Sequence, residues 1–218
     1  AQRIAPSLTR MTRAKVFCIG FQKTGTTSLY AALTRLGYRT AAVVGRDWSA
    51  ERLAAEGARL CIETMKDFDA AQDMPWPIFF RELDAAYPGS KFILTVRDAE
   101  SWFQSIEKHF GDRADEMQAF IYGRNAAAPT GNKARYLEIR AAHEKAARAH
   151  FADRPGDLLI MDLEKGDGWD TLCSFLGLAA PDEPFPVKNR SQDRKRLVYR
   201  IRRKLGLLFG RYLAPEQI

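Results

Sequence analysis

The segment from Gly20 to Ser28 is the first in the chain whose residue types and spacing could do chemistry. It reads GFQKTGTTS and combines two glycines with a lysine and several hydroxyl side chains. Glycine lets backbone N–H groups approach an anion, and the start of a helix attracts negative charge. The run KVFCIG over 15–20 predicts a buried strand, and the apolar spacing over 27–37 predicts a helix. We therefore predict a phosphate-binding loop between a strand and a helix.

The lysine of this loop stands in an unusual place. The phosphate loop of nucleotide-hydrolysing enzymes reads G-x-x-x-x-G-K-[ST], with the lysine directly after the second glycine. Here Thr26 follows Gly25, and the lysine is Lys23. Because the usual lysine reaches the β- and γ-phosphates of ATP, its displacement argues against hydrolysis of Mg-ATP. The alternative is a glycine turn capped by threonine.

A second candidate anion site follows the clearest strand of the sequence, KFILTV over 91–96. Arg97 comes directly after it, and Ser105 lies in the helix predicted next. Arginine presents a fixed positive charge in a planar fork that suits phosphate, and serine adds a hydroxyl donor. The alternative for Arg97 is a surface ion pair with Asp98 or Glu100.

A regular alternation of strands and helices must position these two sites. Further strands are predicted over 38–44 and 157–163, the second of them buried. Helices are predicted over 48–57, 78–90, 100–110, 132–151 and 168–178, whereas 58–77 fits no single element. This order favours an α/β fold with a parallel sheet covered on both faces. Ligands of such sheets bind beyond the carboxyl ends of the strands, where both sites would lie.

Two motifs resemble those of the sulfotransferases. The stretch QKTGTTSL is similar to their 5′-phosphosulfate loop, P-K-S/T-G-T-T, and KFILTVRDAESWFQS is similar to their second signature. Arg97 and Ser105 are eight residues apart, as in the family. The likeness extends over roughly residues 14–190 and is nearest to a small branch of the family, as in LLIMDLEKGDGWDTLCSFLG and FPVKN.

The resemblance implies a P-loop-type three-layer fold with a central, mainly parallel sheet flanked by helices. It implies transfer of a sulfuryl group from 3′-phosphoadenosine-5′-phosphosulfate (PAPS) to a hydroxyl, less readily an amine. The nucleotide product is 3′-phosphoadenosine-5′-phosphate (PAP), and no metal is required. Lys23 would stabilise the leaving phosphate, because its ammonium could reach the oxygen that bridges phosphate and sulfate. The implied nucleotide-binding residues are Gln22, Lys23, Thr24, Gly25, Thr26, Thr27, Ser28, Arg97, Ser105, Lys188 and Arg190, the last two replacing the family's late R-K-G loop.

The acceptor hydroxyl needs a general base. Cytosolic sulfotransferases place a histidine before a Leu-Pro pair at the comparable position, and here Asp73 precedes Met74 and Pro75. Asp73 is therefore predicted as the base, with a helix N-cap as the alternative interpretation. The other candidates are Glu63, Asp67, Asp69, His109 and His143.

The composition indicates the class of protein. A chain of 218 residues with 46% apolar and 28% charged residues is typical of one globular domain, predicted here over 1–190. No apolar run approaches the about 18 residues that a membrane span needs. Three cysteines without metal-ligand spacing indicate reduced thiols and a cytoplasmic protein.

The net charge of +7 is concentrated near the end of the sequence, where residues 190–211 hold nine lysines and arginines. A basic amphipathic helix is predicted within 191–218. It could pack on the domain, contact an anionic membrane through 192–213, or attract the anionic donor. No motif that reads nucleic acid accompanies the charge, so nucleic-acid binding is not expected.

The acceptor is expected to be a hydroxyl of a small molecule, glycan or lipid, and the sequence leaves its identity and the oligomeric state open. Two other functions compete with sulfuryl transfer. One is a nucleotide or small-molecule kinase with a variant loop. The other is a protein without catalytic activity that binds a membrane or a partner through the basic helix.

Overall fold

A computed structural model describes residues 13–187, which form a parallel sheet with helices on both faces. The strands, in chain order, are β1 (Val16–Cys18), β2 (Thr40–Ala41), β3 (Ala70–Ala71), β4 (Lys91–Thr95) and β5 (Leu158–Met161). Their order across the sheet is β2-β3-β1-β4-β5, and every neighbouring pair is parallel. The predicted α/β fold class is confirmed.

Seven α-helices connect and cover the strands in the described part of the chain. They are α1 (Thr26–Arg35), α2 (Ala50–Thr64), α3 (Phe80–Ala86), α4 (Ala99–Phe110), α5 (Glu116–Tyr122), α6 (Lys133–His150) and α7 (Trp169–Leu176). Helices α2, α3 and α6 bury apolar side chains against one face of the sheet. Helices α1 and α7 pack on the other face. This division follows from the strand order, because right-handed crossovers that run in opposite directions across the sheet place their helices on opposite faces.

A third apolar cluster lies beside the sheet and supports the residues that follow β1 and β3. Phe21 and Met74 pack there against buried side chains of α4, α5 and α6, among them Trp102, Tyr122 and Tyr136. The loops beyond these two strands therefore rest on a packed apolar base. Rigid support of this kind is what a binding loop needs if its geometry is to be fixed before the ligand arrives.

Several predicted elements differ from the observed ones. Helix α2 continues to Thr64 instead of ending at residue 57, and the unassigned segment 58–77 also contains β3. The strand predicted over 38–44 forms only the two-residue β2. The strand predicted over 157–163 is present as β5, but its predicted burial is wrong, since Ile160 is 37% exposed. Within the described sheet β5 pairs only with β4 and lies at the edge.

All three cysteines are buried, and none forms a disulfide bond, which agrees with the reduced thiols that the sequence indicates. None of the helices described over 13–187 combines the length and the apolar character needed to cross a membrane.

Candidate functional site

The carboxyl ends of the five parallel strands meet at one edge of the sheet and place chemically active side chains in a row. Along the order of the strands, Arg46 follows β2, Asp73 follows β3 and Lys23 follows β1. Arg97 follows β4 and Glu164 follows β5. The row brings together residues that are far apart in the sequence. It is the crevice in which ligands of open parallel sheets bind.

The loop after β1 is fixed by a hydroxyl contact with the neighbouring strand. Thr24 is buried, and its Oγ1 donates to the carbonyl of Phe21 at 2.6 Å and lies 2.5 Å from Thr95 Oγ1. Gly20 lets the chain pass this point, because a Cβ there would lie 1.9 Å from Thr95 Oγ1. Gly25 has a φ of 109° and caps α1 without a side chain. The loop therefore enters the helix in one defined conformation.

The start of α1 presents backbone donors that nothing in the described chain accepts. The amides of Ser28 and Leu29 donate to the Gly25 carbonyl at 3.0 and 3.1 Å. The amides of Gly25, Thr26 and Thr27 have no acceptor within residues 13–187. Such amides, with the positive end of the helix dipole, bind phosphate or sulfate oxygens. A donor with a 5′-phosphate fits this arrangement.

Lys23 and Asp73 share a rare backbone conformation. They are the two non-glycine residues with positive φ in the described part of the chain, at 69° and 71°. Conformations of this kind cost of order 1–3 kcal/mol and concentrate at functional sites. The strain draws attention to these two positions, which the sequence indicates for catalysis.

The Asp73 carboxyl group lies within electrostatic range of two cations. Burial raises the pKa of Asp73 above its ordinary value, while the Met74 amide and the charges of Arg46 and Lys23 act in the opposite direction. Asp73 Oδ1 accepts from the Met74 amide at 2.9 Å. The alternative role as a helix cap is not observed, because the following 3-10 helix begins after Pro75 without a side-chain cap.

Arg97 connects the second candidate anion site to the first. Its Nη1 donates to the backbone carbonyl of Lys23 at 3.3 Å, and its Nη2 lies 2.8 Å from Glu164 Oε1. Its Nε is buried and has no hydrogen-bond partner in the described chain. The guanidinium is therefore held against the loop, and one of its donors is unsatisfied within the described residues.

The alternative ion pairs considered for Arg97 are wrong. Asp98 caps α4 by accepting from the Ser101 amide at 2.9 Å. Glu100 pairs with Lys133 at 2.7 Å. Both carboxylates have other partners, and the partner of Arg97 comes from the loop after β5.

Ser105 is half-buried on α4, about two turns from the start of the helix. It lies three residues beyond Trp102 and hence on the same side of the helix. Trp102 Nε1 donates to the backbone carbonyl of Gln22 at 2.8 Å, so this side of α4 faces the loop.

Three of the other base candidates lie at the opposite edge of the sheet. Glu63 is in the last turn of α2 and pairs with Lys66 at 2.5 Å. Asp67 and Asp69 precede β3, and Asp69 accepts from the amide of Arg39 at 3.1 Å. Helix α2 runs back to the amino ends of the strands, which explains their distance from the loop after β1.

Of the two histidine candidates, His143 is half-buried beneath the loop after β1 and His109 is exposed at the end of α4. His143 Nε2 is 2.7 Å from the carbonyl of Ile19, and burial lowers its pKa to about 4. Its ring packs against Phe21 beneath the loop. His109 is exposed in the last turn of α4. Among the six candidates, the structure brings Asp73 to Lys23.

Four residues near the site are not among those predicted from the sequence: Arg46, Thr95, Arg140 and Glu164. Glu164 and Arg46 follow predicted strands, and the rule that polar residues after parallel strands share one edge would have identified them. Thr95 is buried within β4 and looks like an ordinary strand residue. Arg140 lies in an amphipathic helix, where arginine is usually solvated. Lys188 and Arg190, together with the basic helix, lie outside the described residues.

Comparisons with known proteins identify the family of the chain. A family model described as the sulfotransferase domain matches residues 15–124 and 112–194. The chain therefore belongs to the sulfotransferase domain family, and the resemblance drawn from the two motifs is confirmed. It is also similar to the Ava biosynthesis cluster protein M of Aspergillus versicolor, with 27% identity over 212 residues, covering 79% of each chain.

Residues 13–187 contain no group of three or more His, Cys, Asp or Glu side chains placed to hold a metal ion. The metal-independent reaction implied by the resemblance stays a prediction.

Proposed function

We propose that this protein transfers the sulfuryl group of PAPS to a hydroxyl of its acceptor. The observation that carries the proposal is the hydrogen bond from Arg97 to the Lys23 carbonyl, which brings the two candidate anion-binding clusters into contact. A nucleotide with phosphates on both its 3′ and 5′ positions has the two separated anions that such a site requires. Membership of the sulfotransferase domain family supports the same reaction.

Each part of the site has a proposed role. The free amides of Gly25, Thr26 and Thr27, with the nearby hydroxyls, bind the 5′-phosphate. Arg97 binds the 3′-phosphate, and Ser105 adds a hydroxyl donor. These contacts fix the orientation of the bound nucleotide, which supplies the transferable sulfuryl group. Positioning of this kind provides a large part of the catalysis of group transfer.

Lys23 and Asp73 are the proposed catalytic residues. The Lys23 ammonium neutralises the negative charge that grows on the bridging oxygen as its bond to sulfur breaks. Asp73 accepts the proton of the attacking acceptor hydroxyl. Because burial raises the pKa of Asp73, its carboxylate is a stronger base than an exposed one, while the charges of Arg46 and Lys23 act in the opposite direction.

The test has two stages. Isothermal titration calorimetry should show PAP binding to the wild-type protein, with weaker binding by Arg97→Ala. The protein is then incubated with PAPS labelled in its sulfate group and a panel of acceptors: a phenol, a primary alcohol, a sugar and a lipid hydroxyl. Labelled product is expected with at least one class. Failure of the wild-type protein to bind PAP would contradict the proposal.

The acceptor classes and the membrane contact through 192–213 are part of the proposal. Co-sedimentation with vesicles of an anionic phospholipid, compared with vesicles of a zwitterionic one, measures that contact in the full chain.

A further inference from the structure

Arg140 of helix α6 lies beneath the second anion site with only 5% of its surface exposed. Its Nη2 donates to the backbone carbonyl of Arg97, and its Nε donates to Glu144 Oε1 at 2.7 Å. Its Nη1 is buried and has no partner in the described part of the chain. A buried cation with an unsatisfied donor is costly, so its presence requires an explanation.

A second contact extends from Arg140 to the first anion site. The Arg140 guanidinium lies over the indole ring of Trp102, 4.8 Å from its centroid. Trp102 Nε1 in turn donates to the backbone carbonyl of Gln22. Two packed side chains therefore hold one carbonyl in each anion site: Gln22 in the loop after β1 and Arg97 after β4.

We propose that Arg140 is a positioning residue that sets the placement of Arg97 relative to the loop after β1. It acts through the Arg97 backbone and not by touching the donor, while Glu144 balances its buried charge. The inference rests on the proposed function, since that function assigns Arg97 to the 3′-phosphate.

Lysine cannot replace arginine in this role. The planar guanidinium donates in fixed directions to Glu144 and to the Arg97 carbonyl while its face stacks on Trp102. An ammonium is a compact point charge on a flexible stem and cannot make these three contacts together. Arg140→Lys therefore keeps the charge and removes the geometry.

The experiment compares two nucleotides on two variants. PAP carries the 3′-phosphate, whereas adenosine 5′-monophosphate (AMP) lacks it and does not need Arg97. Calorimetry on Arg140→Lys should show a rise of about tenfold in the Kd of PAP, the size expected for one lost hydrogen bond to a charged group. The Kd of AMP should change by less than about twofold. Arg148→Lys, an exposed arginine of the same helix, is the matched control and should change neither value.

The ratio of the two affinities separates positioning from general damage. If Arg140→Lys loses equal affinity for PAP and AMP, or if its Kd for PAP is unchanged, the inference is overturned. The proposed function still stands in that case, provided that the wild-type protein binds PAP. If the wild-type protein binds AMP but gains nothing from the 3′-phosphate, the proposed role of Arg97 fails first. Should Arg140→Lys unfold, Arg140→Met keeps an apolar chain on Trp102 without donors and should show the same selective loss.

Discussion

Glu164→Gln should tighten the binding of PAP. The Glu164 carboxylate lies 2.8 Å from Arg97 Nη2, at the guanidinium proposed to bind the 3′-phosphate. The Glu164 side chain is 52% exposed and that of Arg97 is 24% exposed. A phosphate that binds Arg97 must displace this carboxylate or approach it against charge repulsion. Glutamine has nearly the same shape, and it removes the competing charge.

The structure limits the size of the effect. Exposed ion pairs contribute about 0.2–1 kcal/mol, since water and salt screen them. Removing the competing pair should therefore lower the Kd of PAP by about fivefold at most. Because the gain is electrostatic, it should shrink as the salt concentration rises and the Debye length falls.

Calorimetry at low and at physiological salt measures the change in the Kd of PAP and its dependence on salt. Glu138→Gln is the matched control, because Glu138 pairs with Arg135 at 3.0 Å on the exposed side of α6. This variant should bind PAP like the wild type. A weaker binding of PAP by Glu164→Gln would refute the reasoning, since the carboxylate would then be holding Arg97 in its binding position.

Four further outcomes are expected. Lys23→Ala should lower turnover of the labelled donor by about 100-fold or more, with PAP affinity within about threefold of wild type in calorimetry. Asp73→Asn should abolish turnover yet raise the Tm at pH 7. Burial raises the folded-state pKa of Asp73, so the side chain favours folding when it is protonated and loses this contribution as pH rises through that pKa. At pH 7 the ionised carboxylate is costly to bury, and asparagine, which carries no charge, removes that cost. Burial lowers the pKa of His143 to about 4, so its contribution to stability should be complete above pH 6.5 and be lost as pH falls towards 4. Urea titrations should show a loss of up to about 3 kcal/mol over this range, and His143→Gln should reduce it. Gly25→Ala should destabilise the fold by about 1–3 kcal/mol in the same titrations, because φ is 109° and the new Cβ would lie 2.5 Å from Leu163 Cδ1.

The sequence allows the core of the site to be predicted because its signals are local. The loop over 20–28 follows β1 and Arg97 follows β4, and the parallel order of the strands then brings them to one edge. Asp73 is recognisable only by its place before Met74 and Pro75. The sequence favours Asp73 on that ground and leaves Glu63, Asp67 and Asp69 as rivals in the same segment.

What the sequence does not contain is the position of each strand in the sheet. The edge location of β5 explains why an apolar run leaves Ile160 exposed, and the alternation of elements does not fix that order. Nor does it indicate that Glu164 reaches Arg97 across two loops, or that α6 turns Arg140 inward. These contacts depend on tertiary packing between segments far apart in the chain.

The pairing of β1 has a consequence for how the protein is made. Val16 aligns with Ala70 on one side and with Lys91 on the other, so the central strand acquires its neighbours only after long stretches of chain have been synthesised. Contacts between such distant segments slow folding. Thr24 lacks its hydroxyl partner until Thr95 has left the ribosome, so an emerging polypeptide carries the loop well before this contact can fix its conformation.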